Sequence, residues 1–253
     1  MYRILIRFYE ELNDFLPRDR RKTDIEFTFP GRRSAKDLIE SFGVPHVEVD
    51  LILVNGESVD FGYIIQNGDR ISVYPVFESF PVKNVTRLRD LPLRNPRFVL
   101  DVHLRKLARR LRLLGFDADF TDGRGDSELA EISEREGRIL LTRDRRLLMR
   151  RNVSRGICIR STDPWIQTDE VLDRLRLRDE CRPFTRCIEC NGLIDEIPKN
   201  GSDKTIRPYV PEGVLSWCDE YFRCSGCGKI YWKGSHYEKL KSIAGKFFHG
   251  DGQ

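Results

Sequence analysis

The chain has 253 residues, of which 40% are hydrophobic and 33% charged, with a formal net charge of +4. That composition belongs to a water-soluble globular protein with room for two or three small domains, and no apolar run approaches the roughly 18–20 residues of a membrane span. The opening stretch alternates polar and apolar residues and is interrupted by Arg3, Arg7 and Glu10, so it lacks a signal-peptide core and a cytoplasmic protein is expected.

Charge is uneven along the chain. Residues 1–80 hold 10 Lys and Arg against 14 Asp and Glu, residues 81–182 hold 24 against 17, and residues 183–253 hold 10 against 9. The middle third is the basic part, and nearly all of its cations are arginine. A basic segment favours polyanionic partners, nucleic acid first, with a solvated arginine-rich face as the competing account.

Residues 1–80 read as a small α+β domain. Arg3–Phe8 is a strand, and Thr23–Phe29 alternates cleanly until Pro30-Gly31 breaks it. Ser34 can cap a helix over Ala35–Phe42, with Asp37 at the third position and Gly43 as the stop. Leu51–Val54 is an apolar strand followed by the turn signal Asn55-Gly56, and Asn67-Gly68-Asp69 leads into a last strand, Arg70–Pro75. This β-β-α-β-β order resembles the ubiquitin-like β-grasp of small sulfur-carrier proteins. Those carriers end in a Gly-Gly tail that is activated at its carboxylate. Here the strand runs on into Val76–Phe80, so carrier chemistry is not expected and a docking module is.

Residues 81–96 contain three prolines and no clear period, which marks a linker in which Val85, Leu88 and Leu91 could cover a surface. A central domain over 97–182 follows, with strands alternating with helices. Phe98–Leu100 is a strand, and Leu104, Leu107, Ala108, Leu111 and Leu114 form one apolar stripe on the next helix. Arg105, Lys106, Arg109, Arg110 and Arg112 occupy its other faces, and Gly115 stops it. Phe116–Phe120, Arg138–Thr142 and Gly156–Arg160 are further strands; Ser127–Glu136, Arg145–Arg151 and Asp169–Arg178 are further helices. The economical architecture is a parallel sheet covered by helices, with ligands bound outside the carboxyl ends of the strands.

Asp101 and Asp144 lie at or just beyond such strand ends, and Asp126 opens a helix. Hydrolysis of a phosphodiester with one or two Mg²⁺ or Mn²⁺ ions requires only a few carboxylates plus the phosphate itself. Asp119 and Asp122 are near enough in sequence to supply a further acid. Each of the three main aspartates also stands where a helix N-cap belongs, in D-V-H-L, D-S-E-L and D-R-R-L, so capping is a full alternative. Arg105, Arg109, Arg143, Arg145 and Arg146 are candidates for phosphate contacts.

Residues 183–253 hold the most specific signal. Cys187-x-x-Cys190 and Cys224-x-x-Cys227 are two tight turns that can direct four thiolates at one structural Zn²⁺. Gly192 and Gly228 let each knuckle turn. Cys158 reads as core, and Cys218 has poor spacing for a ligand. After the second pair, Phe222, Tyr231, Trp232, Lys233, His236 and Tyr237 mix aromatic rings with positive charge, and Trp232 and Lys233 are candidates for RNA contact. The tail from Phe247 onward is expected to fray.

The string LRKLARRLRLLGFD followed by ILLTRDRRL, with RCIECN and YWKGSH downstream, resembles the Mut-seven C-terminal RNase family, a PIN-like branch. The similarity covers about residues 97–240. Some members of that family carry an N-terminal ubiquitin-like domain. The resemblance implies metal-dependent RNA cleavage with Asp101, Asp126 and Asp144 as the acidic residues. The expected molecule combines a β-grasp domain, a PIN-like parallel-sheet α/β domain and a C-terminal zinc ribbon, with Zn²⁺ structural, Mg²⁺ or Mn²⁺ catalytic, RNA as substrate and a protein partner for the β-grasp. The alternative is a non-catalytic RNA-binding or protein-docking adaptor in which the aspartates are caps.

Overall fold

The computed structural model describes residues 1–75, 96–197 and 206–248. The linker expected at 81–96 and the end of the tail lie outside those residues, apart from Pro96. The chain falls into two compact units, Met1–Asn95 with Gly125–Ile159, and Pro96–Arg124 with Arg160–Gln253.

In the first unit, a five-stranded sheet is built from β1 (Tyr2–Phe8), β2 (Ile25–Phe29), β3 (Val49–Val54), β4 (Glu57–Val59) and β5 (Arg70–Pro75), in the order β2-β1-β5-β3-β4. β1 and β5 run parallel, with Ile6 opposite Ile71; the other pairs are antiparallel. Helix α1 (Ala35–Ser41) buries Ala35, Leu38 and Ile39, and the Ser34 side chain accepts a hydrogen bond from Asp37 N–H, as its sequence predicts. This is the β-grasp arrangement. β4 has no counterpart among the expected strands because its three residues are too few and too polar to show a period.

The same unit holds α3 (Asp126–Glu136), β8 (Ile139–Thr142), α4 (Arg145–Leu148) and β9 (Gly156–Cys158). β8 and β9 are parallel, with Leu141 opposite Ile157. Every residue of both strands is buried, the pattern of a parallel sheet covered on both faces. Three contacts join these elements to the β-grasp. The Arg145 guanidinium lies 4.8 Å from the Phe15 ring centroid and donates to the Phe15 carbonyl at 3.1 Å. His46 Nε2 is 3.0 Å from the Val153 carbonyl, and its Nδ1 is 2.7 Å from Glu40 Oε1. The fully buried Glu48 accepts a 2.6 Å hydrogen bond from Cys158 N–H.

In the second unit, β6 (Arg97–Leu100) pairs in parallel with β7 (Asp117–Asp119). A 3-10 turn, Val102–Leu104, leads into α2 (Arg105–Leu113). Leu104, Leu107, Ala108, Leu111 and Leu114 are all completely buried, so the apolar stripe is real. One expectation about this helix is corrected: Arg112 is buried rather than solvated. It donates to the carbonyls of Ala118 at 2.8 Å and Glu189 at 2.6 Å, with longer bonds to Ile188 and Phe120. α5 spans Pro164–Arg174, earlier than expected, because Asp163 caps it and Pro164 supplies its first turn.

The ribbon is an antiparallel sheet of β10 (Ile194–Glu196), β11 (Tyr221–Cys224) and β12 (Ile230–Trp232), in that order. Ile206, Val210, Cys218, Tyr221 and Ile230 form its small core. A short helix, α6 (Glu212–Leu215), precedes β11, and α7 (Ser235–Gly245) follows β12. Phe247 corrects the expectation of a frayed tail at that point: it is buried and stacks on Trp165 at 5.6 Å between centroids.

Candidate functional site

The cysteine cluster is built by two knuckles. The Sγ atoms of Cys187, Cys190, Cys224 and Cys227 all lie within 4.8 Å of one another. Cys190 and Cys224 are 3.3 Å apart, and Cys187 and Cys227 3.8 Å. The left-handed residue of the first knuckle is Asn191, with φ +71°, not Gly192. Gly192 serves closeness instead, since a Cβ there would sit 2.8 Å from Cys224 Sγ and 2.9 Å from Gly226 N. In the second knuckle Gly228 takes the left-handed turn at φ +74°, as expected. The N–H groups of Gly226 and Cys227 point at Cys224 Sγ, at 3.3 and 3.4 Å, which suits a thiolate.

Tyr231, one of the aromatic residues that follow the second cysteine pair, places its hydroxyl 2.9 Å from Cys187 Sγ. Burial pushes the Cys187 thiol up, but the Tyr231 hydroxyl and the N–H groups of Cys190 and Glu189 outweigh it and bring the thiol down to about 7. Burial, followed by that hydrogen bond, raises the Tyr231 phenol. Convergent sulfurs, donors aimed at them and a tight glycine together fit a four-coordinate metal such as that of a zinc ribbon. Cys158 and Cys218 are both buried, Cys158 as expected of a core residue and Cys218 within the ribbon's apolar core.

The knuckle is tied to the second unit's other elements. Asn191 donates to Asp117 Oδ1 at 2.7 Å and accepts from Ala118 N–H at 3.0 Å. Arg109 grips Glu189 with two bonds, at 3.1 and 2.9 Å. With the Arg112 bonds, these fasten the first knuckle to α2 and β7.

The three main aspartates differ in environment. Asp101 is buried at the end of β6 and accepts from His103 N–H at 2.8 Å, as a cap does. Asp144 is exposed, two residues past β8, and accepts from Arg146 N–H at 2.7 Å. Asp126 does not cap α3. That position belongs to Gly125, and the Asp126 carboxylate is exposed, with no hydrogen bond or ion pair among the described residues. Of the further acids, Asp119 pairs with Arg124 at 2.7 Å and Asp122 pairs with Arg105. All five candidate phosphate ligands are exposed; Arg105, Arg109, Arg143 and Arg145 also have protein partners. Lys233 pairs with Glu220, and Trp232 packs partly against the ribbon core.

Residues 96–244 match the Mut7-C RNAse domain, and residues 1–81 match the Mut7-C ubiquitin domain. The chain belongs to the Mut7-C RNAse family. No curated protein and no solved structure matches it. The Mut7-C RNAse match encloses Asp101, Asp126, Asp144 and all four clustered cysteines. The domain order agrees with that expected from the resemblance, and the RNAse domain indicates a ribonuclease-like function. Among the described residues, no helix is long and apolar enough to cross a membrane.

Proposed function

We propose that the chain is a metal-dependent ribonuclease that hydrolyses RNA phosphodiester bonds, with Asp101, Asp126 and Asp144 as its acidic residues. The observation that carries this reading is Asp126, an exposed carboxylate inside the RNAse-domain match that makes no cap bond where a cap was the competing account. Mg²⁺ or Mn²⁺ would supply a strong water-derived nucleophile and neutralise charge on the leaving oxygen. The chain's own residues present the carboxylates and hold phosphate oxygens. Arg146 is the first candidate for bidentate phosphate contact, with Arg143 and Arg105 joining when they release their protein partners. Asp122 is the better fourth acid, because its pair with Arg105 is exposed and weak, whereas the Asp119–Arg124 pair is partly buried.

The cysteine cluster would hold Zn²⁺ with all four positions filled by sulfur, leaving none for water, so its role is structural. Reduced cysteines at such a site suit the cytoplasm. The second reading, a non-catalytic RNA-binding adaptor, draws on the cap bonds that Asp101 and Asp144 do make.

Asparagine separates the two, because it caps about as well as aspartate but is a poor ligand for a hard cation. Asp101→Asn, Asp126→Asn and Asp144→Asn should each lower cleavage of an end-labelled RNA in Mg²⁺ or Mn²⁺ by more than about a hundredfold, beyond the range of an outer-shell partner. Thermal stability should stay within about 0.5 kcal/mol of the parent. Cleavage at parental rate in all three would overturn the assignment of these aspartates, and RNA binding by the parent without any cleavage would leave the adaptor. The divalent ion should be omitted rather than chelated, since a chelator also strips a thiolate site.

A further inference from the structure

A groove of about 330 Å³ opens between the first knuckle, the β11–β12 hairpin and α7. Its walls are rings: Phe184, Phe222, Trp232 and Tyr237, above a floor that includes Ile194 and Leu240. Phe222, Trp232 and Tyr237 are only half-buried, so their faces are not consumed by the ribbon's own packing. Phe184 and Tyr237 form a fixed pair at 4.6 Å between centroids.

The rim is basic. Lys229 and Lys233 line it, together with Arg186, which is held by Asp117 at 3.6 Å and the Asn191 carbonyl at 2.8 Å, and with Glu189 as the acid among the lining residues. Arg109 already neutralises Glu189 through two bonds, so the 3.7 Å approach of Lys229 to the same carboxylate adds a surplus positive charge. Lys233 is paired with Glu220, but both side chains are about half exposed, and such solvent-screened pairs are weak and give way to a competing anion. Lys229 Nζ lies 5.6 Å from the Tyr231 ring centroid and Lys233 Nζ 5.8 Å from that of Phe222, so the cations stand beside the rings rather than away from them.

We infer that this groove takes one unstacked base of a single RNA strand, with Lys229 and Lys233 holding the phosphates that flank it. The inference rests on the RNA reading above and adds to it a binding site within the ribbon. Flat rings under cations suit a base attached to phosphate. An apolar peptide would use the rings and make no use of the cations. Aromatic faces make up much of the lining, so the base is held mainly by stacking, and little base preference follows. A paired duplex keeps its bases stacked and should be excluded.

The test uses the full chain and 2-aminopurine riboside 5′-monophosphate, whose emission is quenched when its base stacks. This probe has no phosphodiester to cut, so its binding is independent of cleavage. Saturable quenching is expected, displaced comparably by AMP and UMP but not by ribose 5-phosphate. Tyr237→Ala should weaken binding by about fivefold or more, the loss of one base–ring stack, and Tyr237→Phe should retain it. Leu240→Trp, which fills the floor, should abolish it. Asp126→Asn should bind the probe like the parent even while cleavage is lost. Absence of quenching, equal displacement by ribose 5-phosphate, displacement by an apolar helical peptide but not AMP, or indifference to both Tyr237→Ala and Leu240→Trp would overturn the inference.

Discussion

Arg112 shows how a single residue can escape its sequence pattern. It lies on a helix whose Arg105, Lys106 and Arg109 face solvent, and nothing in the spacing separates it from Arg109. Its guanidinium is planar and carries five donors, so it can satisfy carbonyls from β7 and from the cysteine knuckle together. Burial lowers its pKa, while nearby Asp119 and the knuckle cysteines oppose the fall. Arg112→Met should cost about 3 kcal/mol or more in urea unfolding, because the Ala118 and Glu189 carbonyls would each be left without that donor at about 1–3 kcal/mol. Arg112→Lys should recover little, since one ammonium cannot span both carbonyls. Asp126 is the reverse case. Its position before an apolar run reads as a cap, and only the backbone geometry gives the cap to Gly125.

At the level of elements, much was legible. The stripe of α2, the Ser34 cap, the β-grasp strands and the paired cysteine turns rest on local periods or fixed spacings, which a sequence displays directly. β4 and the start of α5 were not read, the first for shortness and the second because the Asp163-Pro164 signal lies outside the apolar run. For the candidate site, the four cysteines were legible from spacing, whereas Tyr231 reaches Cys187 across 44 positions and no local pattern announces that. Gly115 joins both levels. It was expected only to stop α2, yet it has φ +96° and a Cβ there would overlap the Arg182 carbonyl oxygen. Gly115→Ala should therefore destabilise by more than about 1 kcal/mol, measured as a lower urea midpoint, although Ala is the better helix former.

Across the whole molecule, stability has two different sources. The β-grasp has an apolar core formed by Ile4, Ile6, Phe8, Leu38, Ile52 and Val73, all nearly inaccessible. The ribbon has a core of only five buried side chains, Ile206, Val210, Cys218, Tyr221 and Ile230, too little to hold three short strands alone. A metal at the cysteines would supply the difference. Stripping it with a strong chelator should abolish amide protection over residues 187–232 in hydrogen exchange while residues 1–75 keep theirs. Loss in neither would show that the ribbon's fold does not depend on the metal, and equal loss in both would show that the two sources of stability are not separate.

The hydrogen bond from Cys158 N–H to Glu48 has a covalent corollary. Both groups are buried, and each would be left uncompensated if the two parts separated. The Arg145 and His46 contacts add to the same seam. The peptide that links the two parts is then not what keeps them together. A protease site placed between residues 80 and 90, once cut, should yield two fragments that still elute as one species and separate only in denaturant. Glu48→Ala should make the same nicked protein come apart. The ubiquitin-like segment would then behave as a subunit that happens to be encoded in the same chain.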